Sequence, residues 1–144
     1  MMRVSALPAA AVLVAATLAA GAVPATADTP AEPLLVVPLE AGNGLHHSTG
    51  SVAYERVEGA VNAVRIVSVH VTGGDRDCAW LDWNDPHSFT GWSSLTSEPS
   101  CDGTGLGEYP DRIIKAPVGH PLKVRLAAYH ADSGEVKHKD IEKL

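Results

Sequence analysis

The residues best suited to chemistry are concentrated between residues 75 and 111, a segment that contains six aspartates, all three tryptophans and both cysteines. Asp75, Asp77, Asp82 and Asp85 offer the hard carboxylate oxygens that Ca²⁺ prefers. The windows that begin at Asp75 and at Asp82 lack the third oxygen ligand and the glycine of an EF-hand loop. We therefore expect no resident cofactor, and a structural calcium ion at these four aspartates is the alternative to solvated loop acids.

The tryptophans suggest a binding surface. Strand alternation places Trp80 and Asp82 on one face, and Leu81 and Trp83 on the other. An exposed indole beside a carboxylate is typical of a surface that binds sugars, whereas the alternative is that these rings pack over the disulfide as core. We favour packing for at least two of the three rings and expect Trp92 to be the most exposed. The predicted ligand-binding residues are Trp80, Asp82 and Trp92.

The two cysteines predict a disulfide bond between Cys78 and Cys101, because an even count in an oxidising compartment normally means a bridge. The alternative is a pair of free thiols used in catalysis or metal binding. Their spacing fits neither a C-x-x-C motif nor a zinc site, which needs four ligands. The closed loop is worth about 3 kcal/mol of stability on a chain-entropy argument.

Seven histidines are many for this length, but no H-E-x-x-H or H-x-H pattern arranges them for a metal, and we expect scattered surface side chains. The turn near Ser133 sets one geometric condition. A three-residue loop at 133–135 would place His130 opposite His138, and a two-residue loop would place Tyr129 there instead. No G-x-S-x-G motif occurs, and no catalytic residue is predicted. The seven are His46, His47, His70, His87, His120, His130 and His138.

The N-terminus predicts export. Arg3 is the only charge before an apolar, alanine-rich run over residues 4–23, and a small-x-small site ends at Ala27, before Asp28. This order is that of a secretory signal peptide cleaved between Ala27 and Asp28. The alternative is a retained transmembrane anchor, against which a proline and a glycine within the run argue. The alanine- and proline-rich signal also indicates a bacterial, secreted protein.

The remaining chain predicts a flexible leader at 28–33 and a single β-domain at 34–144. Residues 61–72 and 122–130 alternate apolar and polar side chains, as half-buried strands do. Together with glycine- and proline-rich turns, they predict a small antiparallel β-sandwich or barrel of six to seven short strands with one disulfide-tethered loop excursion. The lysine-rich C-terminus is left open between a hairpin strand, a helical turn and a frayed end. The other strand candidates are 34–39, 52–57, 79–83 and 112–116.

Charge limits the functional classes. The net charge is −6, with eight acids between residues 73 and 112 and a mildly basic tail, which argues against a nucleic-acid partner. No second apolar span follows the signal, so we expect no membrane association after its removal. The predicted function is a secreted, non-catalytic domain that binds a cell-surface, glycan or protein ligand through residues 78–111. The alternatives are a disulfide-braced inhibitor or toxin-like effector of a secreted enzyme, and a small hydrolase.

Overall fold

The computed structural model describes residues 32–130 and 135–144 of the 144-residue chain. The expected signal peptide at 1–27, the Ala27–Asp28 cleavage site and residues 28–31 of the expected leader lie outside the described residues. Residues 131–134 of the C-terminal hairpin lie outside them as well. Within the described ranges, no helix has the length and apolar character needed to cross a membrane.

The first of two antiparallel sheets consists of β1 (Leu35–Ala41), β2 (Ser48–Arg56), β3 (Ala63–Thr72), β7 (Gly105–Glu108) and β8 (Arg112–Lys115). Strands β1, β2 and β3 follow one another as neighbours, and the long strand β3 is flanked on its other side by the two short strands. The later half of β3 pairs with β7, and its earlier half pairs with β8.

The second sheet consists of β4 (Asp77–Trp83), β5 (Ser93–Ser94), β6 (Ser100–Cys101), β9 (Lys123–His130) and β10 (Val136–Lys143). Strands β10, β9 and β4 are neighbours, and the very short strands β5 and β6 pair with opposite ends of β4 on its far side. A single 3₁₀ turn, Gly44–His46, lies between β1 and β2.

The two sheets share one hydrophobic core, which makes the fold a β-sandwich. Val52, Ile66 and Val69 from the first sheet belong to the same buried cluster as Leu81 and Leu126 from the second, and each of these side chains is fully buried. The predicted all-β fold class is therefore confirmed. Within residues 32–130 and 135–144, ten strands replace the expected six to seven because the excursion between β4 and β8 contains three strands of two to four residues, too short to produce an alternating pattern.

The alternation in β3 changes face halfway along the strand. Val64 and Ile66 are buried in the first half, and Val69 and Val71 in the second. Ala53 of β2 pairs with Ser68, whereas the next residue pairs with Ile66, so Val67 is the extra residue of a bulge. The alternation expected over residues 61–72 is therefore interrupted, because a bulge shifts the period by one residue.

The C-terminus forms a strand, β10, rather than a helical turn. Val136 pairs with Tyr129 and His138 with Ala128, and the register shifts between these two pairs. Both registers considered for His138 were wrong, because more residues separate the paired Tyr129 and Val136 than either assumed loop allows. Strands β10 and β1 each lie at one edge of their sheet, and the amide of Glu40 in β1 donates a hydrogen bond to Asp140 of β10.

Candidate functional site

The disulfide bond joins the start of β4 to β6. Cys78 and Cys101 face each other directly in the β4–β6 pair and are bonded, as predicted. The bond closes segment 78–101, which contains all three tryptophans. It lies one residue from Asp77 and two residues from Trp80, so it fixes the part of β4 from which both groups project.

Alternation along β4 separates two faces as expected. Leu81 is fully buried and Trp83 packs against the core, whereas Trp80 and Asp82 lie on the opposite, outer face of the second sheet. The indole Nε1 of Trp80 donates a hydrogen bond of 2.8 Å to Asp82 Oδ2, which confirms that the two side chains share a face.

Asp82 serves as an anchor beneath this outer face rather than as a free acid. It is 4% exposed, and its Oδ2 accepts hydrogen bonds from Trp80 and from Arg125, the residue opposite it on β9. A carboxylate occupied in this way orients its donors more readily than it accepts hydrogen bonds from an external ligand. Asp82 therefore positions an indole and a guanidinium.

Trp92 rests on the same guanidinium. The Arg125 Cζ atom lies 4.3 Å from the centroid of a Trp92 ring, within range of a cation–π interaction. Trp92 is half-buried, as are Trp80 and Trp83, so it does not stand apart from the other two tryptophans as the exposed ring that was expected. The aromatic residue that is fully exposed is Phe89, in the loop before it.

A groove with an aromatic wall, here named the aromatic groove, runs along this outer face. The rings of Trp80 and Tyr129 form the wall, with centroids 5.0 Å apart and planes inclined by 60°. The groove has a volume of about 410 Å³ and a second wall made by the chain after β5. Its lining residues are Trp80, Ser94, Thr96, Ser97, Glu98, Pro99 and Tyr129.

The second wall is held by its own hydrogen bonds. Ser97 donates both its amide and its hydroxyl to the Glu108 carboxylate of β7, at 2.8–3.1 Å. The Ser94 hydroxyl donates to the carbonyl of Thr96 at 2.8 Å. The Thr96 hydroxyl is different, because Thr96 is 6% exposed and its Oγ1 is buried with no hydrogen-bond partner among the described residues. Such a group is costly unless something pairs with it.

The four aspartates proposed for calcium do not converge. Asp75 is exposed, Asp82 is bonded to Arg125, and Asp85 accepts hydrogen bonds from the Ser93 hydroxyl and the His87 amide. The Ser93 hydrogen bond, followed by the His87 amide, lowers the pKa of Asp85 below its ordinary value. In residues 32–130 and 135–144, no three of these four bring ligand atoms together, and Asp77 alone joins a cluster.

That cluster consists of Asp77 and two histidines that the sequence did not connect. The Nδ1 atom of His46 lies 3.2 Å from both carboxylate oxygens of Asp77, and Nδ1 of His130 lies 2.5 Å from Oδ1. The two imidazoles meet edge to face with centroids 4.4 Å apart. The missing information was the pairing of β4 with β9, which places Asp77 opposite His130.

Comparison with known proteins identifies no relative. No protein-family model matches the chain, and no curated protein or solved structure shows significant similarity to it. The functional conclusion therefore depends on the chemistry of the aromatic groove and of the Asp77 cluster.

Proposed function

We propose that this protein is an exported, non-catalytic domain that binds carbohydrate at a cell surface or in an extracellular glycan through the aromatic groove. The observation that carries the proposal is the aromatic wall formed by Trp80 and Tyr129, which faces the hydroxyl-rich chain after β5 across the groove.

The two walls of the groove match the two sides of a sugar. A pyranose ring has an apolar face of C–H groups, which packs on an aromatic ring, and a rim of hydroxyls, which needs hydrogen-bond partners. Trp80 and Tyr129 offer the rings, and the hydroxyl-rich chain Ser94–Ser97 together with Glu98 offers the partners. A cleft with an apolar wall and a few fixed polar groups is the usual form of a small-molecule site.

The carboxylates beside the groove favour binding over hydrolysis. Glycosidic cleavage uses a pair of carboxyl groups, one on each side of the scissile bond. Asp82 is bonded to Arg125 and to Trp80, and Glu108 is bonded to the amide and hydroxyl of Ser97. Both acids thus have structural partners, and Glu98 alone of the lining residues carries a carboxylate.

Two features support the exported location. The disulfide bond between Cys78 and Cys101 is of the kind that persists in oxidising compartments. The sequence before Asp28 has the order of charged, apolar and small-residue segments that directs secretion.

A larger cleft elsewhere offers less recognition chemistry. It has a volume of about 560 Å³ and lies around the β2–β3 turn and the C-terminus, next to Tyr54, Arg56 and Leu144. Although it is larger, Tyr54 is buried, so the cleft has no exposed aromatic face for a sugar ring. The choice of the aromatic groove therefore depends on its chemistry and not on its size.

Titration with soluble oligosaccharides, followed by tryptophan fluorescence and by amide NMR shifts, tests the proposal. We expect saturable binding of cello- or chito-oligosaccharides, with W80A and Y129A each raising Kd about tenfold, the value of one aromatic contact. F89A removes a fully exposed aromatic side chain outside the groove and is the matched control. Unchanged Kd in W80A and Y129A, or no binding of either series, would contradict the proposal.

Phe89 favours a second candidate function, the capture or inhibition of a secreted enzyme. Its side chain is fully exposed within the disulfide-closed segment. The loop that carries it is braced where Ser93 donates to Asp85 and where the Ser88 hydroxyl donates to the Trp92 carbonyl. A rigid loop loses little entropy on binding. Inhibition of a panel of secreted proteases and glycosidases that is lost in F89A and retained in W80A would favour this function over sugar binding.

A further inference from the structure

A metal site lies on the face of the second sheet opposite to the aromatic groove. We propose that His46, Asp77 and His130 bind a divalent transition metal ion of the Zn²⁺ class. The ligands are Nδ1 of each imidazole and a carboxylate oxygen of Asp77, and these three atoms lie within 4.8 Å of one another. The site does not depend on the proposed sugar binding, because Asp77 and His130 alternate with the groove residues Trp80 and Tyr129.

The distances between ligand atoms are close to those of a tetrahedral ion. Zinc bound at about 2.0–2.1 Å from each ligand separates the ligand atoms by about 3.3 Å. His46 Nδ1 already lies 3.2 Å from both Asp77 oxygens. The His130 Nδ1 to Oδ1 distance of 2.5 Å has to widen by less than about 1 Å. His130 is the last residue of β9 and partly exposed, so its ring has room to turn.

The burial of Asp77 gives the site a reason to attract a cation. The Asp77 side chain is 1% exposed, and a buried carboxylate is costly unless it is paired. Among the described residues, its carboxylate oxygens contact the two imidazoles. A bound dication would neutralise Asp77, and the imidazoles would then supply lone pairs in place of protons.

Three elements hold the ligands in place before any ion binds. Asp77 and His130 are directly paired in the β4–β9 ladder, and His46 belongs to the 3₁₀ turn. The amide of Asp75 donates to the Leu45 carbonyl at 2.7 Å and ties that turn to the start of β4. Gly74 lies so close to the turn that an added Cβ would be 2.9 Å from the His46 carbonyl carbon. A scaffold of this kind limits ligand motion, as metal sites require.

The ligand types select the metal. Two imidazoles and one carboxylate suit Zn²⁺ and its neighbours in the first transition row, whereas Ca²⁺ takes six to eight oxygens. The side chains of His46 and His130 are 41% and 35% exposed, so an ion can enter from solvent. Three protein ligands leave a fourth tetrahedral position for water or another small ligand.

Titration of tag-free protein, treated with EDTA and dialysed, tests the site directly. We expect one Zn²⁺ per chain by isothermal titration calorimetry, and Co²⁺ should give the visible absorption of a four-coordinate ion. H46A and H130A should each weaken binding by at least about 100-fold, because loss of outer-shell groups alone costs 10–100-fold. H120A removes an exposed histidine just before the start of β9, the end of that strand opposite to His130, and should bind as the wild type does.

Thermal unfolding provides a second readout, and it leaves the buried Asp77 side chain unchanged. Zn²⁺ should raise the Tm of the wild type and of H120A, and not that of H46A. The proposal is overturned if the wild type takes up no Zn²⁺, if both histidine variants keep wild-type affinity, or if Ca²⁺ binds in preference to Zn²⁺. Because H46A leaves the aromatic groove intact, its oligosaccharide Kd separates a failure of this site from a failure of the proposed function.

Discussion

Arg125 donates from both Nε and Nη2 to the same oxygen, Oδ2 of Asp82, at 2.8 Å each, across the β4–β9 pair. The Asp82 side chain is 5% exposed and that of Arg125 is 19% exposed, so the pair is largely shielded from solvent. Both members of the pair contact a tryptophan: the Trp80 N–H donates to Asp82, and the Trp92 ring lies against the Arg125 guanidinium.

Replacing Arg125 with methionine should therefore destabilise the protein. R125M keeps much of the side-chain length but leaves Asp82 buried with the Trp80 N–H as its remaining charge-stabilising contact. Losing one partner of a buried ion pair costs about 3 kcal/mol or more. Urea unfolding should show a lower midpoint with an unchanged m value. R65M, which breaks an exposed pair with Asp111, is the control and should change the midpoint much less. Equal effects of the two variants would contradict the buried role of Asp82.

Removal of the disulfide should cost stability without removing the fold. The bond links residues 23 apart, and the chain-entropy estimate for a loop of this size is about 3 kcal/mol. The double variant C78A/C101A should unfold at a correspondingly lower urea concentration and keep the far-ultraviolet spectrum of a β-protein. The wild type treated with reductant should behave as the double variant does. A midpoint that does not move would show that the core alone fixes the excursion.

The pKa of Asp85 should report on the loop that carries Phe89. It is lowered chiefly by the Ser93 hydroxyl and then by the His87 amide, so S93A should raise this pKa in a carboxyl ¹³C NMR titration. Because the folded-state pKa lies below the unfolded one, the loop is stabilised above the unfolded-state pKa. That stabilisation is lost as the pH falls through the folded-state pKa. The control S97A removes a hydroxyl that donates to Glu108 instead, and it should leave the Asp85 titration unchanged.

Gly74 should not tolerate a larger side chain. A Cβ at this position would lie 2.9 Å from the Leu45 carbonyl oxygen and 3.0 Å from the His47 amide nitrogen, both backbone atoms. G74A should therefore lower the free energy of unfolding by about 1–3 kcal/mol, as overpacking does. G105A is the matched control because its Cβ would meet only the Thr72 hydroxyl, at 3.5 Å. A G74A protein as stable as G105A would show that the 3₁₀ turn is free to move away.

The fold class followed from local patterns because alternation is a local property. Leu122, Val124, Leu126 and Ala128 are buried as the period-two pattern predicts, and the two cysteines form the disulfide bond that their even count predicted. The bulge at Val67 defeated the same rule, since one extra residue reverses the face and leaves no mark in composition.

The site depended on pairings that a single sequence does not specify. Asp77 was assigned to calcium and His130 to the surface, because 53 residues of sequence separate them and only the β4–β9 register joins them. Asp82 was expected to accept hydrogen bonds from a sugar, and its partner Arg125 lies 43 residues further along the chain. By contrast, Trp80 and Asp82 share a face through alternation alone, and that expectation held.

The two outer strands have a consequence for the protein at high concentration. An unpaired strand edge is a template on which a second chain can add, the first step of aggregation. Pro38 removes one hydrogen-bond donor from β1, and β10 carries lysines at positions 137, 139 and 143. Proline and lysine are residues that natural sheets place on an edge strand to prevent pairing with a neighbouring edge. The lysine-rich ending, which composition alone left undecided, thus places at the edge of the second sheet the side chains that discourage edge-to-edge pairing.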